Sequence, residues 1–207
     1  MKKNLLLPAL LFAAGVFTVP AHAESPYYIS GNVGISSFNN IEILIPATDI
    51  VEGTATTSAG IDLTGAAGRS FGDFRVEAEI GYQRNNADTY IFSQGVVPLT
   101  GNFSVTSFLI NSYYDFKTDG ITPYLSAGLG LAGVTLHKIP DPPETVTESH
   151  AALGYQFGAG IAIPLSKTID LDARYRYFGT SKVTLSDSHG RLDIHGSDFL
   201  LGLRVKL

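Results

Sequence analysis

The chain has 207 residues, 14 basic and 19 acidic, for a net charge of −5, and no cysteine. An acidic chain offers no electrostatic footprint for nucleic acid, and the missing cysteines exclude a disulfide scaffold and thiol chemistry. The mean hydropathy of +0.16 is well below that of a helical membrane protein, yet it suits a barrel in which every second residue faces a lumen.

Residues 1–23 read as a cleaved secretory signal. Lys2 and Lys3 form its charged region, 5–19 is mostly apolar, and Ala21-His22-Ala23 is a small-x-small cleavage site before Glu24. The apolar run is short for a membrane anchor and contains Pro8 and Gly15. Residues 24–207 then form one domain. No later segment approaches the roughly 20 apolar residues of a spanning helix, so any membrane crossing falls to strands.

Eight segments of period two follow. The first, PYYISGNVGIS, sets Tyr27, Ile29, Gly31, Val33 and Ile35 against Tyr28, Ser30, Asn32, Gly34 and Ser36. The second, near 57–69, is weaker: Ile61, Leu63, Gly65 and Ala67 oppose Asp62, Thr64, Ala66 and Gly68. The third, FRVEAEIGYQRN, is the cleanest, with Phe74, Val76, Ala78, Ile80 and Tyr82 against Arg75, Glu77, Glu79, Gly81 and Gln83. The fourth, near 103–116, puts Phe108, Ile110, Tyr114 and Phe116 opposite Asn111, Tyr113 and Asp115. The fifth, ITPYLSAGLGLAGV, alternates Leu125, Ala127, Leu129 and Leu131 with Tyr124, Ser126, Gly128 and Gly130. The sixth, near 151–163, sets Tyr155, Phe157, Ala159, Ile161 and Ile163 against Gln156, Gly158 and Gly160. The seventh, IDLDARYRYF, sets Ile169, Leu171, Ala173, Tyr175 and Tyr177 against Asp170, Asp172, Arg174 and Arg176. The eighth, FLLGLRVKL, sets Phe199, Leu201, Leu203, Val205 and Leu207 against Leu200, Gly202, Arg204 and Lys206.

The connectors alternate in length. Segments 70–73, 117–120 and 165–168 are tight polar turns, while 37–57, 85–102, 137–149 and 179–194 are long. Short turns at one end and long loops at the other predict an all-β, eight-stranded antiparallel up-and-down transmembrane barrel with periplasmic turns and external loops. A soluble lipocalin-type barrel would reverse the faces, apolar inside and polar outside. Glycines on the polar faces (Gly34, Gly81, Gly128, Gly130, Gly158, Gly160 and Gly202) either make room for Arg, Tyr and Glu side chains in a narrow interior or mark bulges and bends.

The expected lumen is dense in charge. Its basic members are Arg75, Arg174, Arg176, Arg204 and Lys206, and its acidic members Glu77, Glu79, Asp115, Asp170, Asp172 and Asp198. This near balance is what a packed polar interior requires, because charges away from water need partners. Arg174, Arg176 and Arg204 fall on adjacent strands, and Glu77 and Glu79 are the expected partners from across the lumen. Two readings stand side by side: a salt-bridged plug that holds the barrel rigid, and pairs that swap to gate a narrow ion path. A glycosidase fits poorly, since Glu77 and Glu79 share one strand instead of facing each other across a substrate.

The remaining chemistry is sparse. His137, His150, His189 and His195 lie in or beside loops, with His189 and His195 close in sequence, but no HExxH spacing, P-loop, GxSxG or dinucleotide fingerprint occurs. Neither metal nor cofactor is expected, and no nucleophile–base–orienter set can be named. Tyr27, Tyr82, Tyr114, Phe116, Tyr155, Tyr175 and Tyr177 fall near outward strand ends, where an interfacial girdle belongs. IPATDIVEGTATTSAG and HKIPDPPETVTESH read as polar, exposed, mobile loops available to host or environmental partners.

The segments FRVEAEIGYQRN, NSYYDFKTDGITPYLSAGLGLAGV, GYQFGAGIAIPLSKTIDLDARYRYF and FLLGLRVKL together resemble the small eight-stranded outer-membrane barrels of the OmpA and OmpX type, in their porin-like and surface-antigen branch. The resemblance implies residence in the outer membrane of a Gram-negative-type cell. It also implies delivery by periplasmic chaperones and insertion by the barrel-assembly machinery through the last strand, with Gly202, Val205 and Leu207 carrying the assembly signal. Such strands usually end in an aromatic residue and carry a polar residue two before the glycine, where this chain has Leu207 and Leu200. The expected function is a non-enzymatic surface protein, with a narrow channel as the alternative and a lipid-modifying or proteolytic barrel enzyme as the third reading.

Overall fold

The computed structural model describes residues 25–39, 41–44, 50–141, 144–184 and 191–207. The expected signal segment 1–23 and His189 lie outside the described residues. Among the described residues the regular structure is all strand: β1 Tyr27–Phe38, β2 Ile41–Leu44, β3 Val51–Thr57, β4 Gly60–Phe71, β5 Phe74–Phe92, β6 Gly95–Pro98, β7 Asn102–Asp115, β8 Thr122–Asp141, β9 Glu144–Pro164, β10 Ile169–Thr180, β11 Val183–Thr184, β12 Arg191–Asp193 and β13 His195–Lys206.

Eight of these strands close a ring in the order β1, β4, β5, β7, β8, β9, β10, β13 and back to β1, every pair antiparallel. The closing pair β1–β13 runs from Tyr28 opposite Lys206 to Phe38 opposite Gly196. Period two decides the faces. Along β5, Phe74, Val76, Ala78, Ile80 and Tyr82 are exposed while Arg75, Glu77, Glu79, Gly81 and Gln83 are buried. The same split on β13 leaves Phe199, Leu201 and Leu203 outside, with Phe199 67 % exposed. An apolar outer surface of this extent in water would be an aggregation surface; facing hydrocarbon, it satisfies every backbone group through the ring and every outward side chain through lipid. The soluble lipocalin arrangement is the reverse of this one.

Three tight connections join ring strands at one end, where Gly72 and Gly120 adopt φ of 68° and 123°, a left-handed geometry that favours glycine. At the other end the structure departs from the expected loops. Segment 85–102 is mostly the upper part of β5 and its hairpin partner β6, and 137–149 is mostly the tip of a long β8–β9 hairpin. Segments 37–57 and 179–194 supply β2, β3, β11 and β12. A second sheet, in the order β11, β12, β2, β3, upper β5, β6, forms a crown on the barrel. The reason is that antiparallel pairing does not stop where the bilayer stops. Polar outward residues end the lipid contact, but Val- and Thr-rich stretches such as VEGTATT keep strand geometry.

The interior also departs from a lumen that is polar throughout. Near the crown its lining is apolar: Phe103, Val105 and Leu109 of β7, Ala132, Val134 and Leu136 of β8, and Phe178 of β10 are all buried. Ile41 of β2, Ala55 of β3, Val183 of β11, Leu192 of β12 and Ile194 pack onto them. Charge fills the other half.

Candidate functional site in the barrel interior

β5 and β10 stand opposite each other in the eight-membered ring, four strands apart either way round. Arg75, Glu77 and Glu79 project inward from β5 because they sit two residues apart, and Asp172, Arg174 and Arg176 do so from β10. This placement brings β10 cations to β5 carboxylates across the narrow interior.

The network has two tiers. In the upper tier, Arg174 donates from Nη1 and Nη2 to Glu79 Oε2 at 3.2 and 3.1 Å and from Nη1 to the Tyr113 hydroxyl at 2.7 Å. Arg176 donates to three carboxylates: Glu79 Oε1 at 3.2 Å, Asp62 Oδ2 at 2.7 Å and Asp198 Oδ2 at 2.8 Å. Gln83 Nε2 donates to the same Asp198 oxygen at 2.8 Å, and Gln156 joins Arg176 to Asn111. In the lower tier, Arg75 Nε donates to both oxygens of Asp115 at 3.0 and 2.8 Å, with Nη1 on Glu77 at 3.3 Å and on the Tyr28 hydroxyl at 3.2 Å. The Arg75 guanidinium lies 4.2 Å from the Tyr113 ring centroid and 5.1 Å from that of Tyr124. Tyr124 in turn donates to Asp172 at 2.6 Å. Arg204 Nε meets Asp170 at 3.2 Å, and the half-exposed Lys206 approaches it at 3.6 Å.

The structure thus places Arg75, Glu77, Glu79, Asp115, Asp172, Arg174, Arg176, Arg204 and Lys206 on the interior face, with a different pairing from the one expected. Arg174 and Arg176 meet Glu79, but Arg204 takes Asp170 from neighbouring β10, and Glu77 is held by Arg75 on its own strand. Asp62, fully buried and central to the upper tier, was not among the expected charges. Its position on the polar face of the weak second segment was the available signal.

Glycines make the room. Tyr124 stands opposite Gly160 and Tyr28 opposite Gly68, each tyrosine ring covering the space a side chain would take. At Gly34, Gly130 and Gly202 the space is closed by backbone carbonyls of the neighbouring strand.

At the short-turn end a cavity of about 490 Å³ opens to solvent, lined among others by Tyr28, Arg75, Asp115, Asp170, Arg204 and Lys206. Deeper in, a cavity of about 10 Å³ bordered by Arg75, Glu77, Tyr113, Tyr124, Arg174 and Arg204 is about the size of one water. The charge network and then the apolar packing lie above it.

The crown carries the exposed surface. Ile91 and Val96 face each other on β5 and β6 and are 41 and 61 % exposed, beside exposed Ile50, Val51 and Val97. Tyr90 stacks on Phe92 with centroids 5.7 Å apart, and burial and the Glu52 carboxylate raise its hydroxyl pKa. Ser104 Oγ lies 2.9 Å from His137 Nε2, and His150 lies 3.0 Å from Glu148. Among the described residues no group of three His, Cys, Asp or Glu side chains is placed to hold a metal.

Comparison with known proteins agrees with the architecture. The outer membrane protein PagN of Salmonella typhimurium is 28 % identical over 234 aligned positions, covering 97 % of this chain and 98 % of PagN. Neisserial surface protein A superposes with a TM-score of 0.62 at 20 % identity, covering 90 % of this chain and all of that one. The outer membrane protease OmpT from Escherichia coli superposes at 0.54 with 8 % identity, covering 91 and 99 %; at such identities the likeness is one of fold. Residues 9–206 match the family described as the outer membrane protein beta-barrel domain, and because that match spans every strand of the ring, the chain belongs to this family and resides in the outer membrane.

Proposed function

We propose that this is a closed, non-enzymatic surface barrel whose crown binds a host or environmental ligand. The observation that carries this reading is the filled interior. Buried ion pairs occupy the periplasmic half, apolar side chains occupy the outer half, and the long connections are built into a sheet instead of a channel mouth. A structured, partly apolar crown is suited to recognition, since contiguous exposed apolar surface on a folded protein marks interaction sites. Similarity to a protein named for the neisserial surface points the same way. Fold likeness to a protease at 8 % identity brings no chemistry with it. The Ser104–His137 pair is not a poised nucleophile, because Ser104 is only 5 % exposed and no carboxylate orients His137 among the described residues.

The reading includes export by cleavage after Ala23, chaperone delivery, and recognition of Gly202, Val205 and Leu207 by the barrel-assembly machinery. The test is adhesion of cells displaying the protein to host cells and extracellular matrix. Display of the native barrel raises binding over the empty strain, and Val96→Asp with Ile91→Asp abolishes the gain while the barrel stays folded. Equal binding by displaying and empty cells contradicts the reading. The alternative is a narrow channel, which conductance separates from this reading.

A further inference from the structure

Arg69 is a cation on the wrong face for the lumen network. It projects outward from β4, two residues before that strand ends at Phe71, and among the described residues no carboxylate lies within salt-bridge distance of it. Its guanidinium centre sits 5.2 Å from the Tyr27 ring centroid and 4.8 Å from that of Phe71. Phe74, Tyr114 and Phe116, whose rings meet edge to face at 5.0 Å, continue the same belt at this level. Two rings hold the guanidinium by cation–π contact. Such contacts leave N–H groups at the edge of its plane free, in the fork geometry that matches a phosphate.

An apolar groove begins one outward pair higher, at Ile29. The outward pairs on β1 and β4 run Tyr27–Arg69, Ile29–Ala67, Gly31–Gly65 and Val33–Leu63. A Cβ built on Gly31 or Gly65 meets nothing within 4 Å. The resulting surface groove, of about 700 Å³, is walled by Ile29, Val33, Leu63, Leu201, Leu203 and Val205. Gly65 lies four residues above Arg69, roughly 13 Å along the strand, the direction an acyl chain takes from its headgroup.

We propose that Arg69 and this groove form a site for one anionic phospholipid of the periplasmic leaflet. Its phosphate accepts from the guanidinium, and one acyl chain lies over Gly31 and Gly65. Charge complementarity selects the occupant: the wall is apolar, while the Arg69 guanidinium, held by two aromatic rings, sits at the headgroup level.

The experiment is native mass spectrometry of the barrel refolded into nanodiscs of mixed phosphatidylcholine and phosphatidylglycerol. The native protein retains one phosphatidylglycerol in preference to phosphatidylcholine. Arg69→Gln lowers that preference about fivefold, the factor expected for one basic residue at an anionic surface. Gly31→Leu fills the groove and reduces retention of both lipids, while Lys117→Gln, which removes an exposed periplasmic cation paired with Asp73, changes neither. Heat-modifiable migration verifies folding of each variant, and Arg69→Gln alone decides the headgroup contact if Gly31→Leu fails to fold. Unchanged preference in Arg69→Gln overturns the proposal. So does a dimeric species that Gly31→Leu dissociates, since the groove is then filled by a second copy of the chain.

Discussion

Arg176 and Asp62 meet inside the barrel with 2.7 Å between Nη2 and Oδ2, and neither side chain is more than 1 % exposed. They stand 114 residues apart in sequence, so their meeting fixes how β10 faces β4 across the interior. Asp198 and Glu79 complete the ring of carboxylates on the same guanidinium. A guanidinium this deep is tolerable only because each of its edges donates to an anion.

Removal of Glu79 leaves both Arg174 and Arg176 short of a partner. Glu79→Ala should lower the unfolding free energy of the refolded barrel by about 3–5 kcal/mol, the cost of stranding a buried charge. Lys117→Ala breaks a solvent-exposed pair with Asp73 and should change it by less than about 1 kcal/mol. Urea titration in detergent or lipid, read by tryptophan-free far-UV signal and gel migration, measures both.

How much of this was legible follows from period two. The face of every ring strand was readable because lipid demands apolar residues at each second position, and FRVEAEIGYQRN could face only one way. The tier of charge was readable as residue types, but not its pairing, since partners such as Arg176 and Asp62 depend on barrel stagger that the sequence does not display. The apolar outer half differs from the polar lumen that the charges alone imply. Phe103, Val105 and Leu109 share the inward parity of Asn111 and Tyr113, and that shift from apolar to polar along one face was the missed signal. IEIL and RLDI carry short strand alternation within the long connectors 37–57 and 179–194.

Leu192 of β12 is 1 % exposed and belongs to the cluster that seats the crown on the barrel. Leu192→Ala should cost about 2–5 kcal/mol of local stability through lost burial and a residual cavity. Hydrogen exchange should accelerate in β2, β3 and β12, with the ring strands β7 to β10 unaffected. Uniform acceleration across the ring would show that crown and barrel unfold as one unit.

Gly130 has no room for a methyl group, because the Phe108 carbonyl occupies the position its Cβ would take. Gly130→Ala should sharply reduce the folded fraction on refolding. Gly65→Ala, at an outward position with open space, should fold as the native chain does. Band shift with and without boiling compares the two.

The last strand pairs with β1 from Lys206 upward and leaves Leu207 53 % exposed on the lipid side. If Gly202, Val205 and Leu207 form the assembly signal, Leu207→Phe should raise the outer-membrane level in cells with limiting assembly machinery. Leu207→Asp should lower it several-fold. Quantitative blotting of outer-membrane fractions reads both, with refolding in vitro as the control for intrinsic stability.

On the proposed reading the interior is shut and the crown is the working surface. Single-channel recording of the refolded native barrel in a planar lipid bilayer tests it most directly. The filled interior predicts a silent membrane under applied voltage, for the native protein and also for Glu79→Ala, because the apolar packing above the charge network stays in place. Discrete, reproducible conductance steps from the native protein would contradict the closed barrel and establish the narrow channel in its place.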